Sequence, residues 1–161
     1  MGNVIGIDPG ITGAIALVSD DGAFVGCWDM PVFKIKGKSK IDVHQLGGII
    51  RAANYDQPSA MIELVGAMPG QGVSSMFTFG FATGALHGAV GALSIPLATV
   101  TPAKWKAYFG LTKDKDAARQ LATRKWPDGP FSRVKDAGRA EAALIALYAI
   151  ETNIIKKGQG Q

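Results

Sequence analysis

Residues 64–103 contain no Asp, Glu, Lys or Arg. An uncharged stretch of that length either crosses a membrane or is folded into a protein interior. Within it Gly80, Gly84 and Gly88 recur at every fourth position and Gly91 follows, a spacing that membrane helices use to pack closely. Pro69 and Pro96 interrupt the run, residues 71–75 are polar, and His87 stands near its middle, which together favour a soluble fold. The stretch therefore reads as a helix over about residues 74–93 with a glycine edge that lets another backbone approach. That neighbour is either the helix's own sheet or a second copy of the chain. His87 reads as a core or interface histidine.

The flanking sequence supplies strands. Val4–Asp8 and residues 14–19 are rich in Val, Ile, Ala and Leu, and Pro9, Gly10 and Gly13 form a turn between them, which predicts a hairpin. Asp20-Asp21-Gly22 makes a second turn and residues 24–30 a third strand, completing an antiparallel meander. Residues 34–40, with Lys34, Lys36, Lys38 and Lys40 around a glycine, read as a loop. Asp42 is placed to cap a helix whose Val43, Leu46, Ile49, Ile50 and Ala53 share one face, ending near Tyr55. A buried strand over 59–64, a turn-rich loop over 66–72 and a short strand over 97–100 follow. Thr101-Pro102 opens a helix as a cap followed by Pro at the first helical position. Further helices are expected at about 113–125 and 138–156. The order β-β-β-α-β-α-β-α-α-α predicts an α/β sandwich around a mixed sheet. One domain is expected over residues 1–161, with 156–161 as a tail.

At 161 residues, 47% hydrophobic and 19% charged, the chain is long and apolar enough for a single globular core. The net charge of +4 favours a polyanionic partner. Cys27 is the one cysteine, so an intramolecular disulfide and a thiolate metal cluster are both excluded. The N-terminus enters a strand-like run without a basic segment before it, so no secretion signal is expected. The expected location is intracellular, with no membrane partner and no small-molecule substrate.

Asp8 is the single charge in residues 4–17. Burying it costs several kcal/mol unless a partner compensates. It can serve as a turn-forming residue before Pro9-Gly10 or as one member of a shared site. Glu63, between Ile62 and Leu64, raises the same question inside a strand. If the two strands are neighbours, their carboxylates converge, and a divalent cation between them relieves the repulsion. Oxygen donors with few histidines favour Mg²⁺ or Mn²⁺ over Zn²⁺. Near the C-terminus Asp136 is placed to cap the last helix and Glu141 lies in its first turns among alanines. They are either ordinary first-turn acids or further members of the site.

Residues 5–17 (IGIDPGITGAIAL), the glutamate of IEL (62–64) and KDAGRAEAALIA (135–146) together resemble the RuvC-type Holliday-junction resolvases, particularly their phage-encoded branch. Residues 101–122 are similar to the family's segment of lysine-bearing helices. The resemblance spans nearly the whole chain in consistent order. It implies a ribonuclease-H-like fold, with a five-stranded mixed sheet in which strands 1–3 are antiparallel and helices flank both faces. It also implies a homodimeric, Mg²⁺-dependent endodeoxyribonuclease of recombination and repair. Such an enzyme cuts four-way DNA junctions by paired symmetric nicks that leave 5′-phosphates, using two metal ions and no nucleophilic side chain.

Carried over by position, Asp8 bridges the two ions, Glu63 holds one and Glu141 completes the site from the last helix. The resemblance implies that Mn²⁺ can replace Mg²⁺ in this chemistry. Bacterial members place a fourth acid three residues before the last one, where this chain has Gly138. The nearest upstream acid, Asp136, lies about 140° from Glu141 around a continuous helix, so it reaches the site only from a preceding loop or cap. Lys106 and Lys115 match family lysines near the scissile phosphates, or else belong to a solvated helix face. Arg119 extends that basic character, and Lys34, Lys36, Lys38 and Lys40 are candidates for a DNA arm. In the loop after the catalytic strand, Met68, Gln71 and Phe77 are candidates for the junction centre, with Ser74 as a further DNA contact; core packing is the competing role for Phe77, as it is for Trp105. Two other functions use the same residues: a ribonuclease-H-like nuclease for other branched DNA or structured RNA, and an inert junction-binding module. Asp8-x-Gly10-x-Thr12-Gly13 also resembles the phosphate loop of sugar kinases and actin-like ATPases, which need two such domains and more residues than this chain has.

Overall fold

The computed structural model describes residues 2–66, 69–112, 114 and 116–155. In chain order it contains β1 (Val4–Asp8), β2 (Ala14–Val18), β3 (Phe24–Asp29), β4 (Val32–Ile35), β5 (Lys38–Ile41) and α1 (Val43–Ala53). Then come β6 (Ser59–Glu63), α2 (Val73–Ala92), β7 (Leu97–Val100), α3 (Pro102–Tyr108) and α4 (Ala117–Lys125). A single 3₁₀ turn, Val134–Asp136, leads into α5 (Ala137–Thr152).

The main sheet has five strands in the order β3-β2-β1-β6-β7. β1, β2 and β3 pair antiparallel, whereas β6 runs parallel to both β1 and β7. The mixed five-stranded sheet and the meander therefore match the expectation from sequence. Parallel pairing of Ile7 with Ile62 brings Asp8 and Glu63 to the same end of neighbouring strands.

Successive residues of a strand face opposite sides, and β1 is buried on both. Ile5 and Ile7 join Leu46 and Ile50 of α1 and Ala82, Leu86 and Val90 of α2 in one core layer. Val4 joins the other layer, with Trp105, Ala118, Ala122, Phe131 and the buried face of α5. Each of the large aliphatic side chains contributes about 1.5–3 kcal/mol by burial. Gly6 has a specific steric role: a Cβ there would run into the Ala142 carbonyl of α5. α5 thus lies directly on the β1 backbone, and Glu141, one residue before Ala142, is carried to the Asp8 end of the sheet.

Three local expectations change. Residues 34–40 belong to a second two-stranded sheet, β4–β5, in which Phe33 pairs with Lys40 and Ile35 with Lys38. Its two-residue turn places Lys36 and Gly37 at φ 49° and 76°, the conformation that matches the twist of a tight hairpin. The last helices are shorter than expected. α4 begins at Ala117, and α5 ends where Asn153 takes the left-handed conformation that stops a helix. Among the described residues, a Cβ on Gly80, Gly84, Gly88 or Gly91 would meet nothing within 4 Å. The glycine edge of α2 is consequently not the face packed on its own sheet. No described helix is long and apolar enough to cross a membrane.

Candidate metal centre

The N-terminal hairpin folds so that Asp8 ends β1 just before its turn. Its Oδ1 accepts a hydrogen bond from the Gly10 amide at 3.3 Å, the Asx-type contact expected before a tight turn. That single donor does not compensate the carboxylate's partial removal from water. Desolvation, with the nearby charges of Glu141 and Glu63, pushes the Asp8 carboxyl up to about 7, against the smaller opposing effects of Gly10 and Lys106.

Glu63 closes β6 and is 6% exposed. Burial raises its pKa, while the Trp105 indole N–H, donating to Oε1 at 2.8 Å, holds it down. Trp105 is fully buried on α3, which follows β7. The next residue, Lys106, places Nζ 3.0 Å from Glu141 and 5.2 Å from the centre of the Trp105 ring. Consecutive residues of α3 thus address acids from β6 and α5. The core reading of Trp105 holds, but its polar edge was not anticipated. A buried indole N–H requires an acceptor, which was the available signal.

Asp8, Lys106 and Glu141 border a cleft of about 930 Å³, also lined by Thr12, Thr112, Asp114, Lys135 and Gly138. Asp136 is not brought to the other three acids. It is 1% exposed and accepts hydrogen bonds from the backbone N–H, Nε and Nη2 of Arg133 at 2.9, 3.1 and 2.8 Å. Arg139 adds a contact from Nη1 at 3.5 Å, while its Nε and Nη2 donate to Asp29 at 2.6 and 2.7 Å. The Arg133 hydrogen bonds hold the Asp136 carboxyl below its ordinary range. Its loop position removes the helical-face objection, but its oxygens are occupied by guanidinium groups.

The donor set suits an oxygen-preferring divalent cation: three mutually repelling carboxylates at one end of the sheet, with the Lys106 ammonium beside them partly offsetting their charge. Among the described residues no group of three His, Cys, Asp or Glu side chains is drawn together closely enough to hold an ion. A cation held by all three acids would require them to approach one another more closely.

The candidate nucleic-acid contacts divide. Lys34, Lys36, Lys38 and Lys40 are exposed on the β4–β5 hairpin. Lys38, Gln71 and Ser74 line a cleft of about 610 Å³ between that hairpin and the start of α2. Phe77, one turn on, is 76% exposed, so it is not a core residue of the chain by itself. Arg119 is placed differently from the expected DNA contact. It binds Asp116 through Nε and Nη2 at 2.6 and 2.5 Å, and donates to the Phe131 and Ser132 carbonyls at 3.3 and 2.8 Å. Met68 and Lys115 lie outside the described residues.

No family model matches the sequence, and no curated protein matches it. Solved structures do. RuvC of Thermus thermophilus in complex with a Holliday junction substrate superposes with a TM-score of 0.69 at 18% identity, covering 96% of each chain. A second Thermus thermophilus RuvC structure gives 0.61 at 16% identity, covering 94% of this chain and 96% of the other. The coverage leaves almost no part of either chain outside the common architecture. The chain has the RuvC fold, a ribonuclease-H-like mixed sheet flanked by helices.

Proposed function

We propose that this protein is a Holliday-junction resolvase: a metal-dependent endonuclease that introduces paired symmetric nicks into four-way DNA junctions and leaves 5′-phosphates. The observation that carries the reading is the convergence of Asp8, Glu63 and Glu141 from β1, β6 and α5 on one end of a RuvC-type sheet. The structural neighbour bound to a junction substrate supports the choice of DNA target. The sequence resemblance favours the phage-encoded branch.

Asp8, Glu63 and Glu141 would hold Mg²⁺, two ions per site with Mn²⁺ as a substitute. Bound there, the ions supply water activation and leaving-group stabilisation for phosphodiester hydrolysis. Lys106 neutralises Glu141 before the site is loaded and is placed at the cleft wall to meet a phosphate. The hairpin lysines and the Gln71–Ser74 cleft grip the DNA backbone beside it, and Phe77 stands exposed toward the junction. Asp136 acts as an anchor for the start of α5, with Arg133 and Arg139 as its partners. Lys115 and Met68 keep their proposed roles as DNA contact and junction-centre residue.

Cutting two strands symmetrically calls for two subunits. The exposed Val73, Phe77 and Phe81 with the glycine edge of α2 offer an uncharged, self-matching face for a homodimer. A cytoplasmic location goes with this activity. A second reading, an inert junction-binding module, draws on the occupied Asp136 and the glycine at 138.

The discriminating experiment is Asp8→Asn. Junction binding without cleavage supports the nuclease. Retained cleavage removes Asp8 from the chemistry, and a wild type that binds junctions but never nicks them establishes the inert module.

A further inference from the structure

The Glu63 carboxylate is buried at the end of β6, and among the described residues its one side-chain hydrogen-bond donor is Trp105, 42 positions away in sequence. Building on the divalent-cation site proposed above, we propose that Trp105 is a positioning residue of that site. Its indole N–H holds Oε1 of Glu63, so that the carboxylate meets the cation in a single orientation.

Three observations converge on this role. The indole is fully buried, so its ring has no freedom to release Glu63 without disturbing the core. Its N–H edge faces Glu63 while its ring face lies 5.2 Å from the Lys106 ammonium, which is itself 3.0 Å from Glu141. One side chain therefore holds the β6 acid directly and lies against the lysine that pairs with the α5 acid. Trp126 provides the contrast: it donates to the Gly22 carbonyl at 3.0 Å and packs at a tilt against Phe24 and Phe131, away from the acids. Where a group holding a metal ligand by hydrogen bond is removed, affinity for the metal falls about 10- to 100-fold.

The test is a Mg²⁺ titration of the full chain with ¹⁵N-labelled indoles, the three tryptophan signals being assigned through Trp28→Phe and Trp126→Phe. In the wild type the Trp105 N–H signal moves as Mg²⁺ binds and the Trp126 signal stays in place. By calorimetry Trp105→Phe, which retains an aromatic ring but not the donor, weakens Mg²⁺ binding about 10- to 100-fold. An unmoved Trp105 signal at saturating Mg²⁺ overturns the inference, and so does an unchanged affinity in Trp105→Phe. Should that variant fail to fold, the wild-type titration alone decides. A wild type that binds no Mg²⁺ defeats the parent reading as well. Mg²⁺ binding that Asp8→Asn abolishes and Trp105→Phe leaves intact defeats only the role of Trp105.

Discussion

Gly138 on α5 packs against the N-terminal hairpin so closely that a Cβ there would lie 2.5 Å from the Thr12 carbonyl oxygen and 3.0 Å from the Gly13 Cα. Backbone, not solvent, occupies the position at which the RuvC-type pattern carries its fourth acid. The contact also explains how α5 is seated: a helix touching the turn at Gly138 and β1 at Gly6 delivers Glu141 beside Asp8.

The first expected outcome concerns that contact. Gly138→Ala forces the hairpin and helix apart and destabilises the protein by about 1–3 kcal/mol, the usual cost of overpacking. Gly138→Asp does at least as much harm and does not raise activity. Denaturant midpoints of the two variants check this, and a Gly138→Asp protein as stable as wild type contradicts it.

Lys106 and cation compete for Glu141. Lys106→Met removes the ammonium, so DNA-free protein binds Mg²⁺ more tightly, by up to about fivefold for a half-exposed ion pair. Junction cleavage falls in the same variant, because the cleft loses its cation facing the phosphate. Calorimetry and nicking assays measure the two effects separately, and weaker Mg²⁺ binding in the variant contradicts this role.

The pH dependence of stability follows from Asp8. Its carboxyl ionises near 3.8 when unfolded and at about 7 in the metal-free fold, so the folded state holds the proton more tightly. A raised carboxyl pKa makes stability fall as pH climbs between those values, and level off above the higher one. Glu63 shifts in the same direction. In chelator, urea midpoints should drop from about pH 5 to about pH 8, Asp8 accounting for on the order of a few kcal/mol. Asp8→Asn should flatten that slope; an unchanged slope contradicts the raised pKa of Asp8.

Charge on the sequence does not reveal which cations are available, and Arg119 shows why. Its donors are committed to Asp116 and to two carbonyls of residues 131 and 132, which ties α4 to the following loop. Arg119→Ala should lower the melting temperature by several degrees and leave the salt dependence of junction binding intact. Alanine at Lys34, Lys36, Lys38 and Lys40 should do the reverse. Each lysine that neutralises a phosphate takes about 0.9 from the slope of log K against log salt. A salt slope unchanged by the four substitutions removes the hairpin from the DNA surface.

Asp8 and Glu63 were legible in the sequence because a lone carboxylate in an apolar strand demands a partner, and strand adjacency follows from the meander and the parallel crossover. The hairpin at residues 32–41 was not, because four lysines hide the alternation of Phe33 and Ile35 across from Lys40 and Lys38. Asp136 shows a different limit. Residue spacing gave its angle on a helix, yet its role depends on Arg133 and on the Asp29–Arg139 pair, which tertiary folding alone brings together. The Trp105–Glu63 bond is likewise non-local, joining the segment after β7 to the end of β6.

The most direct measurement is incubation of the protein and Mg²⁺ with a labelled four-way junction and, in parallel, with a linear duplex of the same arm sequences. The account predicts paired nicks at symmetric positions in opposing strands of the junction, with 5′-phosphate ends, and no cutting of the duplex. Equal cutting of both substrates, or an uncut junction, would contradict it.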